Sequence, residues 1–210
     1  MKRIFILMIC LFTCSAFATQ RAVTDEGKVV ILSSDGTWKF ESPASTATPD
    51  IATNPRSFSK DPSSTFALKS TKNNSVFWLD TSEWIFEKSA AGAASEYNLK
   101  TKDGSDIYAL AITEAISMDL LSLADVALSN AKGLAPDARV VKKEFRVVNG
   151  VRALYMEMLG SAGGIRFKYL GYYFSDSSGT TQYVVYTGEN LAPKFETKIA
   201  KLLNGFSARK

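Results

Sequence analysis

Four two-residue steps, Asp103-Gly104, Asn149-Gly150, Gly163-Gly164 and Ser178-Gly179, punctuate the second half of the chain. Asn-Gly and Asp-Gly steps accept positive φ at little cost, and a tight hairpin turn demands it. The last three steps separate runs rich in β-branched and aromatic residues at 139–148, 151–159, 165–174 and 182–186. Strands joined by turns this short lie antiparallel, because a parallel return needs a crossover of a dozen or more residues. The spacing predicts a four-stranded meander, and any fold for this chain has to be built around it.

Further strand-like runs precede the meander at 76–79, 84–86, 97–100 and 107–112. Two helical patterns interrupt the strands. One covers 117–132, with Leu120, Leu123, Ala124, Ala127 and Ala131 along one stripe and Gly133 as its stop. The other begins near Asn190, tolerates Pro193 in its first turn, and aligns Leu191, Phe195, Ile199, Leu202, Leu203 and Phe206 around Gly205. In run 151–159, Leu154, Met156 and Met158 alternate with Glu157, so one side is expected to face a core. The class is α+β, a central antiparallel sheet flanked by helices, over residues 65–210. No repeat of 20 to 50 residues is visible.

The N-terminus reads as a secretory signal peptide over residues 1–18. Met1-Lys2-Arg3 is followed by the apolar run "IFILMICLFTCSAFA", which closes on the small-residue pattern Ala16-Phe17-Ala18. The run is shorter than the roughly 20 residues that span a bilayer, and no later segment reaches that length. The expected location is periplasmic or secreted, with cleavage after Ala18. Cys14 stands after Thr13, where a lipidation signal has a smaller residue, so a lipoprotein is not expected. Cys10 and Cys14 both lie in the leader, which leaves the exported chain without disulfides. The formal charge of +4 falls by two without Lys2 and Arg3, and so near a balance the chain has no electrostatic footprint for nucleic acid.

Residues 19–41 read as a separate β-hairpin, in which "KVVIL" and "TWKF" flank Asp35-Gly36. Residues 42–64 are rich in Pro, Ser and Thr, with Pro43, Pro49, Pro55 and Pro62, and read as a linker. An isolated hairpin is marginal in water, so Trp38, Val29, Ile31 and Phe40 need burial against their own domain, a second copy or an external partner.

The absence of histidine, and of cysteine beyond the leader, removes Ser-His-Asp and Cys-His catalysis and the common zinc sites. Phosphate-binding glycine loops are absent too. Carboxylate, lysine or serine chemistry survives without a positive signal, so the chain is not expected to be an enzyme, and no cofactor or metal is expected. "KDGSD" at 102–106 has two carboxylates but lacks the ligand series of a calcium loop, and reads as a plain turn. Asn73-Asn74-Ser75 matches a glycosylation acceptor, a pattern frequent by chance. The candidate interaction residues are Trp38, Phe40, Tyr169, Tyr172, Tyr173, Tyr183 and Tyr186. On a strand, Phe167, Tyr169 and Tyr173 share one face and Tyr172 and Phe174 the other, so at least one set is expected in the core.

The order of "SEWIFE", a strand, a helix, "VVNGVRALYMEMLG", "RFKYLGYYF", "GTTQYVVYT" and a final helix ending "LLNG" resembles the PsbP/Mog1-like α/β/α sandwich. The resemblance covers about residues 65–210 and implies a sheet with helices on both sides, in a family whose members mostly act as binding, assembly or chaperone-like subunits. "DEGKVVILSSDGTWKF" separately resembles a DGTW-type hairpin of exported bacterial proteins of unknown function. The expected function is an exported, non-enzymatic binding or assembly protein of the bacterial envelope. The alternative is a periplasmic small-molecule or lipid-binding protein with an aromatic-lined pocket. The partner is then an envelope protein or a small apolar ligand, and a homo-oligomer stays open.

Overall fold

In a computed structural model of the chain, Asn149 and Gly150 have φ of 48° and 79°, and Gly163 and Gly164 of 57° and 79°, the left-handed backbone that tight turns require. The structure describes residues 20–24, 29–33, 35–40 and 51–209; residues 1–18, expected to be a signal peptide, and residues 41–50 lie outside it. Strands β1 (Gln20–Val23), β2 (Val29–Leu32) and β3 (Trp38–Phe40) form a small antiparallel sheet in that order. The expected hairpin is β2–β3, and β1 adds a third strand.

The body runs through β4 (Thr53–Phe58), β5 (Phe66–Lys69), β6 (Ser75–Leu79), β7 (Trp84–Lys88), β8 (Tyr97–Thr101) and β9 (Ile107–Glu114) to helix α1 (Leu120–Leu134). Then come β10 (Arg139–Val148), β11 (Val151–Ala162), β12 (Ile165–Asp176) and β13 (Gly179–Gly188). A 3-10 turn (Ala192–Phe195), α2 (Glu196–Leu203) and β14 (Phe206–Ala208) complete it. The large sheet has the order β4-β10-β11-β12-β13-β9-β8-β7, and a second sheet has the order β14-β6-β5. All pairs are antiparallel except β4 on β10. The meander β10 to β13 is therefore present in the expected order.

Four expectations are corrected. Residues 53–58 are not linker: Pro55 is tolerated because β4 is an edge strand, where a missing N–H on the solvent side costs no ladder bond. Gly133 does not stop the first helix, which starts after Asp119, whose carboxylate accepts from Leu121 and Ser122 N–H, and ends at Leu134. Strand β11 faces a core on both sides, not one. Leu154, Met156 and Met158 pack under α1, while Ala153 and Tyr155 join the core with α2 and the second sheet.

The fourth correction concerns Phe206, which sits in β14 rather than on the α2 stripe. Trp78 N–H donates to the Gly205 carbonyl at 2.8 Å, and a Cβ on Gly205 would lie 2.1 Å from the Trp78 carbonyl oxygen. Only glycine lets the chain pass so close and turn Phe206 inward among Phe77, Tyr172 and Phe174, at ring separations of 6.2, 6.3 and 5.5 Å. Full burial of such a side chain stabilises by about 1.5–3 kcal/mol.

Glu96 ties the second sheet's hairpin to β9. It is 5 % exposed and accepts from Ser70 Oγ at 2.8 Å, Thr71 N–H at 2.8 Å, Thr71 Oγ1 at 2.7 Å and Thr113 Oγ1. Burial alone raises its pKa, but the hydrogen bonds from Thr113, Thr71 and Ser70 outweigh this and hold it below the ordinary value.

Two outcomes follow for stability. Gly205→Ala lowers the free energy of unfolding by about 1–3 kcal/mol in denaturant titration, since two backbones have to separate. Because the folded pKa of Glu96 is depressed, its contribution is complete above the unfolded value of about 4.3 and lost as pH falls through the folded one. The stability gap between the wild type and Glu96→Gln therefore narrows below about pH 4, as a pH series of melting midpoints will show.

Candidate functional site

A β-bulge decides which side chains of β10 face outward. Val140 pairs with Met158 and Lys142 with Glu157, so Val141 is the extra residue. The bulge inverts the alternation. Val140 packs under α1, yet Lys142, Glu144 and Arg146 line up on the opposite face beside Tyr155 and Glu157 of β11 and Lys168 of β12.

Between this wall and α2 lies a groove of about 700 Å³. At its floor the Arg146 guanidinium lies 3.4 Å from the Tyr155 ring centroid and 4.6 Å from that of Phe58 on β4. Its Nε donates to Glu144 Oε1 at 2.6 Å, and the two side chains are only 14 % and 15 % exposed. Glu144 also accepts from Asn54 Nδ2 at 3.1 Å, which fastens β4 to β10 through charge as well as backbone. Tyr155 donates its hydroxyl to Glu157 Oε1 at 3.0 Å, and Lys168 Nζ meets Glu157 Oε2 at 2.7 Å. Ile199 and Leu203 of α2 supply the apolar far wall, with Glu196 and Glu189 at the rim.

The electrostatics fix these groups rather than tune them for proton transfer. Desolvation raises the Glu144 carboxyl, but the bonds from Arg146 and Asn54 more than reverse it, so the net shift is downward. Burial pushes the Tyr155 phenol far above its usual range, and that of Tyr172 above it. The arrangement offers preset cations, anions and an aromatic floor, which is chemistry for holding a ligand.

Of the residues singled out by sequence, Tyr172, Tyr173 and Tyr183 are core, with 0, 1 and 0 % exposure, and are withdrawn as an interaction surface. They fall on opposite faces as strand alternation requires: Tyr173 lies under α1, and Tyr172 and Tyr183 on the α2 side. Tyr169 and Tyr186 are half-buried neighbours 6.0 Å apart, extended by Tyr108 at 5.6 Å from Tyr186. Trp38 and Phe40 are 58 % and 50 % exposed and form an edge-to-face pair at 5.2 Å. The 102–106 turn is closed by Asp103, which accepts from Ser105 N–H at 3.0 Å and from Lys198 Nζ at 2.7 Å. Among the described residues no group of three acidic side chains comes together to hold a metal ion. Asn73 is 7 % exposed and donates to the Thr180 carbonyl at 2.7 Å, so it is structural rather than a glycan acceptor. The groove's charged wall was missed. "KKEFR" signals alternating charge, but only the bulge makes it face α2.

No protein-family model matches the chain, and no curated protein matches it significantly. Among solved structures it is similar to cyanobacterial PsbP (CyanoP) from Synechocystis, with a TM-score of 0.55 and 11 % identity over 69 % of this chain and 92 % of that one. The chain has a PsbP-like fold. A second similar structure is LpqN, involved in cell envelope biogenesis of Mycobacterium tuberculosis, at a TM-score of 0.49 and 10 % identity over 69 % of this chain and 90 % of that one. The groove lies on the α2 face of the sheet, and the half-buried Tyr169 and Tyr186 lie on the α1 face.

Removing Arg146 from this partly buried pair leaves Glu144 with Asn54 and the half-exposed Lys142 only. Arg146→Met costs about 1–3 kcal/mol in unfolding experiments, and adding Glu144→Met recovers part of it, as a double-mutant cycle will measure.

Proposed function

We propose that this chain is an exported, non-enzymatic binding protein of a bacterial cell envelope, which holds a segment of a partner protein in the groove between α2 and the β10–β11 wall. The signal-peptide pattern of residues 1–18 supports the location. The observation that carries the binding reading is the Arg146 guanidinium stacked on Tyr155 and paired with Glu144 at the floor of a groove of about 700 Å³. A site whose charges are already fixed by neighbours loses little order on binding. The lining carries Lys142, Arg146 and Lys168 beside Glu157 on one wall and Glu189 and Glu196 at the rim, so the complementary ligand presents both signs of charge together with apolar groups for Ile199 and Leu203. A polypeptide segment has that composition. The small apolar ligand loses its support, because Tyr172, Tyr173 and Tyr183 close on the core instead of lining a cavity.

The test places a photoreactive amino acid at Ala200, an exposed groove residue of α2, in cells exporting the full chain. The expected result is covalent capture of one envelope protein, reduced at least tenfold by Lys142→Glu, with the captured peptide carrying acidic and basic residues. A lipid or other small apolar molecule seen bound by native mass spectrometry, or capture insensitive to Lys142→Glu, overturns the reading.

A further inference from the structure

The charges of the groove do not balance on the wall that β4 and β10 share. Three ion pairs are closed: Arg146 with Glu144 at 2.6 Å, Lys168 with Glu157 at 2.7 Å and Arg166 with Glu189 at 2.8 Å. Arg56 and Lys142 are left over. Asn54 Oδ1 accepts the Arg56 backbone N–H at 3.0 Å, and the exposed Arg56 guanidinium has no ion pair among the described residues. It lies 5.7 Å from the same Phe58 ring that Arg146 covers at 4.6 Å, so two guanidiniums share one ring while only Arg146 has a carboxylate. Lys142 Nζ stands 3.6 Å from Glu144 Oε1, an oxygen that already accepts from Arg146 and Asn54. The α2 side adds one carboxylate without an ion pair among the described residues, Glu196 in its first turn. Like charges gathered on one wall without counter-ions attract an anion from outside the chain.

Strand geometry sets the spacing of the two cations. Val147 pairs with Ser57, which puts Arg56 level with Arg146 on the groove face. Lys142 lies four residues back along β10, a distance of about 13 Å at about 3.3 Å per residue. An extended chain covers that distance in four residues, and its period of two returns side chains i and i+4 to the same side. A helix is the wrong width for the space. Over the length of α2, about 12 Å for eight residues, a cylinder about 10 Å across occupies roughly 900 Å³, against about 700 Å³ in the groove.

We propose that the groove takes an acidic segment in extended form, with carboxylates at positions i and i+4 paired to Arg56 and Lys142 and apolar side chains at i+1 and i+3 against Ile199 and Leu203. The proposal rests on the groove being a polypeptide site, and adds the sign, spacing and conformation of what it holds. Position i+2 falls beside Glu144 and is not acidic, because like charges there repel. A basic side chain turned toward α2 meets Glu196.

The probe is a phage-displayed library of random heptapeptides, selected on the purified full exported chain. The expected winners carry Asp or Glu at i and i+4 and aliphatic residues at i+1 and i+3, and are captured by a photoreactive residue at position 200. Their affinity falls at least tenfold on Arg56→Glu, falls less on Arg56→Gln, and weakens as salt is raised, since both cations are at the surface. Arg56 is exposed, and an unchanged melting midpoint shows that each variant is folded. Winners that are captured at position 200 and depend on Lys142, yet lack the acidic pair or bind Arg56→Glu as tightly as the wild type, overturn the proposal and leave the groove a polypeptide site. A selection that yields no peptide captured at position 200 overturns both.

Discussion

The Asn149-Gly150 turn holds the body together in more ways than a hairpin turn has to. Its positive φ values set the register of β10 against β11, and that register decides every alternation further along the meander. The Asn149 side chain then reaches out of the turn. Its Nδ2 donates to the carbonyls of Asn204 and Phe206 at 2.8 and 2.7 Å, and its Oδ1 accepts from Lys60 N–H at 2.9 Å. One residue therefore fixes the end of α2, the start of β14 and the exit from β4. A glycine there would keep the turn and lose all three ties.

From that register the sheet becomes two-sided. Tyr155, Tyr172 and Tyr183 form a cross-strand row on the α2 side, and Leu154 and Tyr173 form the equivalent contacts under α1. Close packing on both sides leaves little room for a ligand in the interior, because aromatic side chains large enough to line a pocket are used to fill it. Open surface on either side of the sheet is thereby confined to places where a covering element is too short. Helix α2 spans Glu196–Leu203 and leaves the β10–β11 wall open as the groove, while α1 leaves the tyrosine row open at its far end.

The turn steps and alternating runs made the meander and both helices legible, since each depends on local backbone preference and burial period, whereas the placing of helices on both sides of the sheet came from the resemblance. What was hidden depends on contacts distant in sequence. Pro55 reads as a linker residue until β10 supplies a parallel neighbour that leaves its nitrogen on the free edge. Phe206 fits a helical stripe with Leu202 and Leu203, and only the approach of Trp78 to Gly205 turns it into a strand. The sequence grouped Tyr169 and Tyr186 with the core tyrosines Tyr172, Tyr173 and Tyr183, and Tyr108 was not joined to them, because the pairing of β13 with β9 spans a helix and three strands. The groove was least legible, since one bulged residue at Val141 decides whether Lys142, Glu144 and Arg146 face solvent, α1 or α2.

The bulge also explains why a charged wall can stand so close to an apolar core. Lys142, Glu144 and Arg146 lie on β10 between the edge strand β4 and β11, so Glu144 meets Asn54 of β4 and the two cations of its own strand at the margin of the aromatic interior. Arg146 shows the limit of that arrangement: it covers Tyr155 and Phe58 with the flat face of its guanidinium and keeps its donors at the edge. A lysine has no planar face to lay against two rings and cannot form the same contact. The groove floor is thus apolar in shape and ionic at its margin, and the same side chain supplies both properties.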